Sequence, residues 1–463
     1  MMLRGMEPRS AAPRAPSWLD ARFDLAARGT TVRAEVLAGA TTFVTMAYVL
    51  FVNPQILASA AGPDRAGALL TSTALVAAVM TVIMGLAANL PLALAPGMGL
   101  NAVVAFQLVG AAHLSYAEAM GVIVAEGAVI TLLVVTGLRQ AMVRSVPLPL
   151  KRAIGIGIGL FLALIGFKNA GFVSAGGGLL TLGDAGRLHG FPVALFAVTL
   201  LFTAWLVARR VRGALLIGMA ASTVAAVIAR AALGGAGFPP HVAELPGALV
   251  AAPDFSLVGG VSFGFARVLG PAAAALTVFS IMLSDFFDTV GTVVAVGQEA
   301  RYLDDQGNFP RPGTVLLVDS LAAAAGGAAG ASSATTYIES ASGAAAGGRT
   351  GLTSVVTGLL FALCLFLSPL PGVVPPQATG AILVLVGFLM MREIGAIRWD
   401  DAGEAIPAFL TLAVMPFTYS ITNGIGAGFI AFVVLQLLAG RIRGVHPLML
   451  LASLAFVVYF ALG

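Results

Sequence analysis

Charge is scarce in this chain. Only 10% of its 463 residues are Asp, Glu, Lys or Arg, while 59% are hydrophobic. A soluble domain carries about 25% charged residues, so a water-exposed globular surface is excluded. Cysteine is almost missing: Cys364 stands alone, which rules out an intrachain disulfide. Histidine is sparse as well. His113, His189, His241 and His446 are scattered without metal-ligand spacing, so neither a metal centre nor another cofactor is expected. An early apolar core of the secretory-signal kind is also lacking. Arg4, Arg9, Arg14, Arg22, Arg28 and Arg33 come first instead. They read as a disordered basic tail over residues 1–33, held on the cytoplasmic side, with no nucleic-acid role.

What is abundant is long apolar runs. They measure roughly 17–22 residues, the length that crosses a hydrocarbon core about 30 Å thick. The runs fall at 34–52, 66–87, 92–111, 116–138, 149–167, 191–208 and 213–233, then at 271–296, 314–330, 332–346, 352–367, 379–391, 406–421 and 425–439. That makes an all-α polytopic membrane protein of about fourteen spans. A further apolar run at 447–462 either crosses again or lies along the inner face. The 56 glycines fit such a bundle, because small residues let helix backbones approach closely in lipid. With the N-terminus inside, Arg139, Arg144, Lys151, Arg152, Arg209, Arg210, Arg212, Arg301, Arg311, Arg349, Arg392, Arg398, Arg441 and Arg443 fall at inner ends; the outer loops are poorer in Lys and Arg, although Lys168, Arg187 and Arg230 fall there.

The spans divide seven and seven around a long loop at 234–267, and an odd number per half makes the second copy inverted. The third span of each half is irregular. One opens with Ala95-Pro96-Gly97-Met98-Gly99, the other with Ser332-Ser333-Ala334-Thr335-Thr336. Pro96 removes a backbone donor, and Gly97 and Gly99 are poor helix formers. A helix should start near Gly97 with its first N–H groups aimed at a cavity or ligand, and Asn101 adds an amide one turn in. Thr335, Thr336, Tyr337 and Ile338 favour an extended strand, with Glu339 at the strand-to-helix junction. The stretch 92–95 is a candidate partner strand. Paired interruptions at matching positions point to a substrate site near the midplane.

Carboxylates mark the same place. A charge at mid-bilayer costs several kcal/mol unless paired or hydrated. Asp285 and Asp288 lie three residues apart on one helix face, and Glu339 is the third deep carboxylate. No Lys or Arg lies deep in those spans, so one of the three is expected to hold a proton in some states, a physical basis for proton coupling. Glu35, Glu118, Glu126 and Asp319 are weaker candidates, read as hydrated near span ends. Gly155, Gly157 and Gly159 form a small-residue stripe suited to helix packing.

Several stretches together resemble the AzgA-like branch of the nucleobase–cation symporter-2 family, the adenine/guanine/hypoxanthine permeases. They are the first span from Arg33 to Pro54, the Leu94–Ala102 stretch, Asp285-Phe-Phe-Asp-Thr-Val-Gly-Thr292, Thr335-Thr-Tyr-Ile-Glu-Ser-Ala-Ser-Gly343 and Gly347-Gly-Arg-Thr-Gly-Leu352. The resemblance implies a UraA-like fold of 7+7 inverted repeats with short strands in spans 3 and 10. It implies a core domain from residues 34–138 and 268–367 and a gate domain from 149–233 and 376–440 that also dimerises. An outer linker at 234–267 and an apolar end at 441–463 complete the chain. It further implies proton-coupled import of purine bases across the cell membrane. Carried over by position, Asn101, Asp285, Asp288 and Glu339 bind substrate and couple transport.

The residue chemistry is compatible with that. Carboxylates and an amide can read the N–H and acceptor edge of a purine. Either Asp285 or Glu339 accepts purine N–H groups while the other carries the proton. The backbone at Gly97 and Gly99 holds the opposite edge, with Tyr337 and Ile338 beside it and Phe286 and Phe287 as stacking candidates. The rival readings are a carrier of xanthine, uracil or a small anion on the same fold, and an intramembrane aspartyl protease. Three crowded carboxylates oppose an anion, and Asp285 and Asp288 share one helix where a protease needs two facing elements.

Overall fold

The structure, a computed structural model, describes residues 18–137, 145–176, 179–184, 186–232, 234, 237–238, 242–302 and 309–462. His241, Arg139, Arg144 and the arginines before Trp18 lie outside them. The chain opens with α1 (Trp18–Phe23), α2 (Val32–Met46), α3 (Val49–Ala61) and α4 (Ala66–Ala88). Strand β1 (Leu94–Pro96) then leads into α5 (Met98–Ala102), which continues as π-helix over Val103–Ala111, and α6 (Tyr116–Val135) follows. Next come α7 (Leu148–Asn169), the hairpin β2 (Val173–Gly176) and β3 (Leu179–Leu182), α8 (Phe191–Ala208) and α9 (Ala214–Ala232). The second half holds α10 (Phe265–Leu269), α11 (Pro271–Glu299), α12 (Pro312–Ala328), β4 (Ala334–Thr336) and α13 (Ser340–Ala345). It ends with α14 (Gly351–Leu363), α15 (Pro376–Met390), α16 (Ala402–Thr418), α17 (Ile421–Leu438) and α18 (Pro447–Leu462).

Among the described residues, nine helical stretches are long and apolar enough to cross a bilayer, accompanied by five shorter apolar helices. Their starts are written in the sequence. Thr31, Ser115, Asp401 and Ser420 cap α2, α6, α16 and α17 through side-chain oxygens, and Ser115 with Glu118 forms a reciprocal capping box. Pro271, Pro312 and Pro376 open α11, α12 and α15, where a missing N–H costs nothing.

Two groups of helices pack among themselves. α4 lies against α14, α3 and α12; α12 lies against α6; α14 and α13 lie against α2. In the other group α7 packs on α15 and α16, α16 on α17, and α15 on α8. The glycine stripe serves this second packing: a Cβ on Gly159 would sit 2.6 Å from the Gly387 carbonyl oxygen, so only glycine lets α7 and α15 approach. Gly157 is equally tight, with its added Cβ 2.5 Å from the Met415 sulfur, whereas Gly155 meets nothing.

Two expectations change, and the last apolar run, left open by the sequence, gains a structure. The run 332–346 is a strand and a six-residue helix, because β-branched Thr335 and Thr336 extend the backbone and leave too little helix to cross. The run 447–462 is a helix that packs on α17 and reaches α11. Residues 18–33, included in the disordered basic tail, are folded. Phe23 and Leu25 bury against Leu352, Arg22 donates to the Leu86 carbonyl, and Arg28 donates to the Arg349 carbonyl at 3.1 Å.

That docking explains the Gly347–Leu352 motif. Glu35, fully buried on α2, accepts from the backbone N–H groups of Arg349, Thr350 and Thr353 and from the hydroxyls of Thr350 and Thr353, at 2.6–3.2 Å. It is a carboxylate at the N-terminus of α14, where the helix dipole favours negative charge. Arg349 in turn donates to the Ala344 carbonyl at the end of α13, the position that favours a cation. Glu35 is therefore held by protein donors, not by interfacial water.

Candidate functional site

β1 and β4 pair antiparallel, with Leu94 opposite Thr336, Ala95 opposite Thr335 and Pro96 opposite Ala334. A two-stranded ribbon inside a bilayer must have its outer edges satisfied by protein. Thr81 of α4 does this for β1: its hydroxyl accepts from the Leu94 N–H at 2.9 Å and donates to the Leu94 carbonyl at 3.0 Å. Asp319 of α12 does it for β4, accepting from the Thr336 N–H at 3.0 Å. The same carboxylate accepts from the Thr289 hydroxyl at 2.7 Å, which ties the ribbon to α11. Asp319 is buried and holds backbone in place, so it is not hydrated at a span end.

Past the ribbon both chains turn into helices. The Gly97 N–H donates to the Ser333 carbonyl at 2.8 Å, and its own carbonyl accepts from the Asn101 N–H at 2.9 Å. The Gly97 backbone is thus fully used. α5 starts at Met98, and the N–H groups of its first turn have no partner within the helix. The turn opens onto a small cleft lined by Gly97, Gly99, Leu100, Ser284, Asp285 and Asp288 from one helix group and Ile158 and Met390 from the other. A Cβ on Gly99 would lie 2.5 Å from Ile158 Cγ2, so glycine is required where α5 meets α7.

Asn101 is fully buried, and neither its amide nitrogen nor its amide oxygen has a hydrogen-bond partner among the described residues. An unpaired buried amide costs about 1–3 kcal/mol at each end, an arrangement that a ligand can relieve. Asp285 is 1% exposed, and Asp288, one turn on, reaches the open cleft. Glu339 precedes α13 without capping it through its side chain, and accepts a 2.7 Å hydrogen bond from the Tyr48 hydroxyl.

Other expected residues have different placements. Tyr337 is buried, its hydroxyl donates to the Pro96 carbonyl and its N–H to the Ala93 carbonyl at 2.9 Å, so it braces the ribbon from the side. Ile338 is 48% exposed. Phe286 and Phe287 pack edge to face on each other, with the Lys151 ammonium over the Phe287 ring, and neither lines the cleft. Sequence reasoning missed Tyr48, Ile158, Met390 and Ser333 as site neighbours. Tyr48 had one signal, its place in the distinctive first-span stretch. Glu126 was placed near a hydrated span end, yet it is fully buried, faces Asp285 and accepts from the Ser333 hydroxyl at 3.3 Å.

A membrane bundle with a polar cleft between two helix groups, entered by two strand-to-helix turns, defines a transporter. Solved structures share the fold. The transmembrane domain of a cyanobacterial bicarbonate transporter, BicA, superposes with a TM-score of 0.61 at 14% identity over 86% of this chain and 97% of that one. SLC26A9 gives 0.60 at 11% identity over 94% and 73%. A family profile described as "Permease family" matches residues 33–427. Adenine permease AdeP of Escherichia coli (strain K12) is 40% identical over 440 residues, 95% of each chain. Guanine/hypoxanthine permease PbuG of Bacillus subtilis (strain 168) is 37% identical over 439 residues, 93% of this chain and 97% of that one. The chain belongs to this permease family, the nucleobase permeases that its motifs resemble, and is a transporter, not an enzyme.

Proposed function

We propose that the protein imports purine bases (adenine, guanine or hypoxanthine) across the cell membrane by proton symport. The observation that carries this reading is Asn101, a fully buried amide whose nitrogen and oxygen have no hydrogen-bond partner among the described residues, next in the chain to Leu100, which lines the cleft with Asp285 and Asp288. A purine edge offers N–H donors and ring-nitrogen or carbonyl acceptors, which these groups complement. Asp285 or Glu339 takes the purine N–H groups, the other carries the proton, and Asp288 tunes the pair from the cleft. The relatives named adenine and guanine/hypoxanthine permeases support the substrate class. An anion is disfavoured because the cleft presents carboxyl groups and no Lys or Arg lines it.

In this reading the first helix group is the core and the second the gate, arranged as fourteen spans in two inverted halves with the N-terminus cytoplasmic. The core moves against the gate as an elevator or by rocking, and the gate forms a homodimer. The test is uptake of labelled purine in cells that lack their own permeases. Asp285→Ala and Glu339→Ala should each lower uptake at least tenfold at normal surface expression, and wild-type uptake should fall when the proton gradient is collapsed. Unchanged uptake in both variants would refute the site. Uptake indifferent to the gradient would refute symport.

A further inference from the structure

The carboxyl group of Glu126 on α6 and that of Asp285 on α11 face each other as hydrogen-bonding neighbours. Glu126 is fully buried and Asp285 nearly so. The Ser333 hydroxyl donates to Glu126 Oε2 at 3.3 Å. No N–H or O–H of any other described residue reaches Glu126 Oε1 or either oxygen of Asp285. No ion pair to either occurs among the described residues. The other ionisable groups around them are all acidic. Asp288 lies on α11 toward the cleft. Asp319 on α12 is bonded to Thr289 and the Thr336 N–H, and Glu339 at the start of α13 is bonded to Tyr48.

Two ionised carboxylates are acceptors only and cannot bond to each other; a carboxylic acid and a carboxylate can. Two such groups in contact, out of water and without a cation, cannot both ionise. A shared proton is the arrangement that satisfies both. Ser333 fixes one side of Glu126, and Asp285 lies between Glu126 and the cleft.

We infer that Glu126 is a proton-coupling residue, which with Asp285 forms a carboxyl pair that shares the transported proton behind the substrate cleft. This rests on the proton-symport reading and deepens it. The proton enters from a hydronium ion in the cleft: the hydronium O–H bond breaks, an O–H bond forms on Asp285, and Glu126 accepts a hydrogen bond from it. Release reverses these bonds on the other side, where water entering the cleft takes the proton and solvates the carboxylate left on Asp285, so that the two charges no longer share a dry site. Asp285 thereby carries the proton, and Glu339, already engaged by Tyr48, is left to read the purine.

The test uses purified protein in liposomes and two readouts. Glu126→Gln keeps size, shape and a hydrogen bond to Asp285 but cannot share a proton with it. It should retain purine exchange between the two sides within about threefold, and lose accumulation driven by an imposed proton gradient at least tenfold. Glu126→Asp should restore part of that accumulation. A purely packing role would move exchange and accumulation together. Infrared spectroscopy of the wild type supplies a measurement independent of any variant: a carboxylic-acid C=O band should be present at neutral pH and change on purine addition. Gradient-driven accumulation by Glu126→Gln at the wild-type level, or absence of that band, would overturn the inference. If wild-type accumulation itself ignores the gradient, the symport reading is what fails.

Discussion

Glu35 and Asn101 are both polar, both fully buried and both within the first helix group, yet their partners differ completely. Glu35 accepts from five donors of the Arg349–Thr353 turn, whereas the Asn101 side chain has no partner among the described residues. The first is a structural carboxylate and the second is open to a ligand. Hydrogen bonds to a charged group contribute about 1.5–3 kcal/mol each. Glu35→Ala should therefore lower the thermal unfolding midpoint of the solubilised protein by several degrees, through the loosened start of α14. An unchanged midpoint would mean that the cluster adds nothing to stability. Asp285, Asp288, Glu339 and Asn101 were legible from the sequence because charge and amide groups are rare in apolar runs. The split between Glu35 and Asn101 was not legible. It depends on which residues 314–318 positions away return to the same point, and that is set by tertiary packing.

At the scale of elements, the ribbon of β1 and β4 is the unusual feature, and its legibility was partial. Thr335 and Thr336 favour extension, and Pro96 and Gly97 break a helix. What local propensity cannot convey is the edge capping by Thr81 and Asp319, side chains from α4 and α12 that replace water for the strands' outer groups. For this reason Asp319 read as a marginal site carboxylate when its bonds are to backbone and hydroxyls. Asp319→Asn retains an acceptor for the Thr336 N–H and should keep purine uptake within about threefold. Asp319→Ala leaves a buried N–H unpaired at a cost of about 1–3 kcal/mol and should reduce both thermal stability and uptake. Equal behaviour of the two variants would contradict the edge-capping role. Helix starts were read less well: the apolar runs at 406–421 and 425–439 begin four residues inside helices that start at Ala402 and Ile421, because the capping residues Asp401 and Ser420 and the polar first turns lie outside the apolar pattern.

For the whole molecule, the two helix groups meet at few polar points. The Gln107 amide donates to the Thr422 hydroxyl at 2.8 Å, and the Thr379 hydroxyl donates to Gln55. Elsewhere the approach is glycine against side chain, as at Gly99 and Ile158. Sparse bonding of this kind suits two bodies that slide or rock, and the cleft between them holds the candidate site. The abundance of apolar runs made the bundle legible from composition alone, while the pairing of groups across the cleft needed the fold. In the proposed function Asn101, next in the chain to the cleft-lining Leu100, reads the purine. The most direct test of that role is equilibrium binding of labelled adenine, guanine and hypoxanthine to the purified protein and to Asn101→Ala. Saturable binding of at least one of the three to the wild type is expected, weakened at least tenfold in the folded variant. No saturable purine binding to folded wild type, or equal affinity in Asn101→Ala, would contradict it.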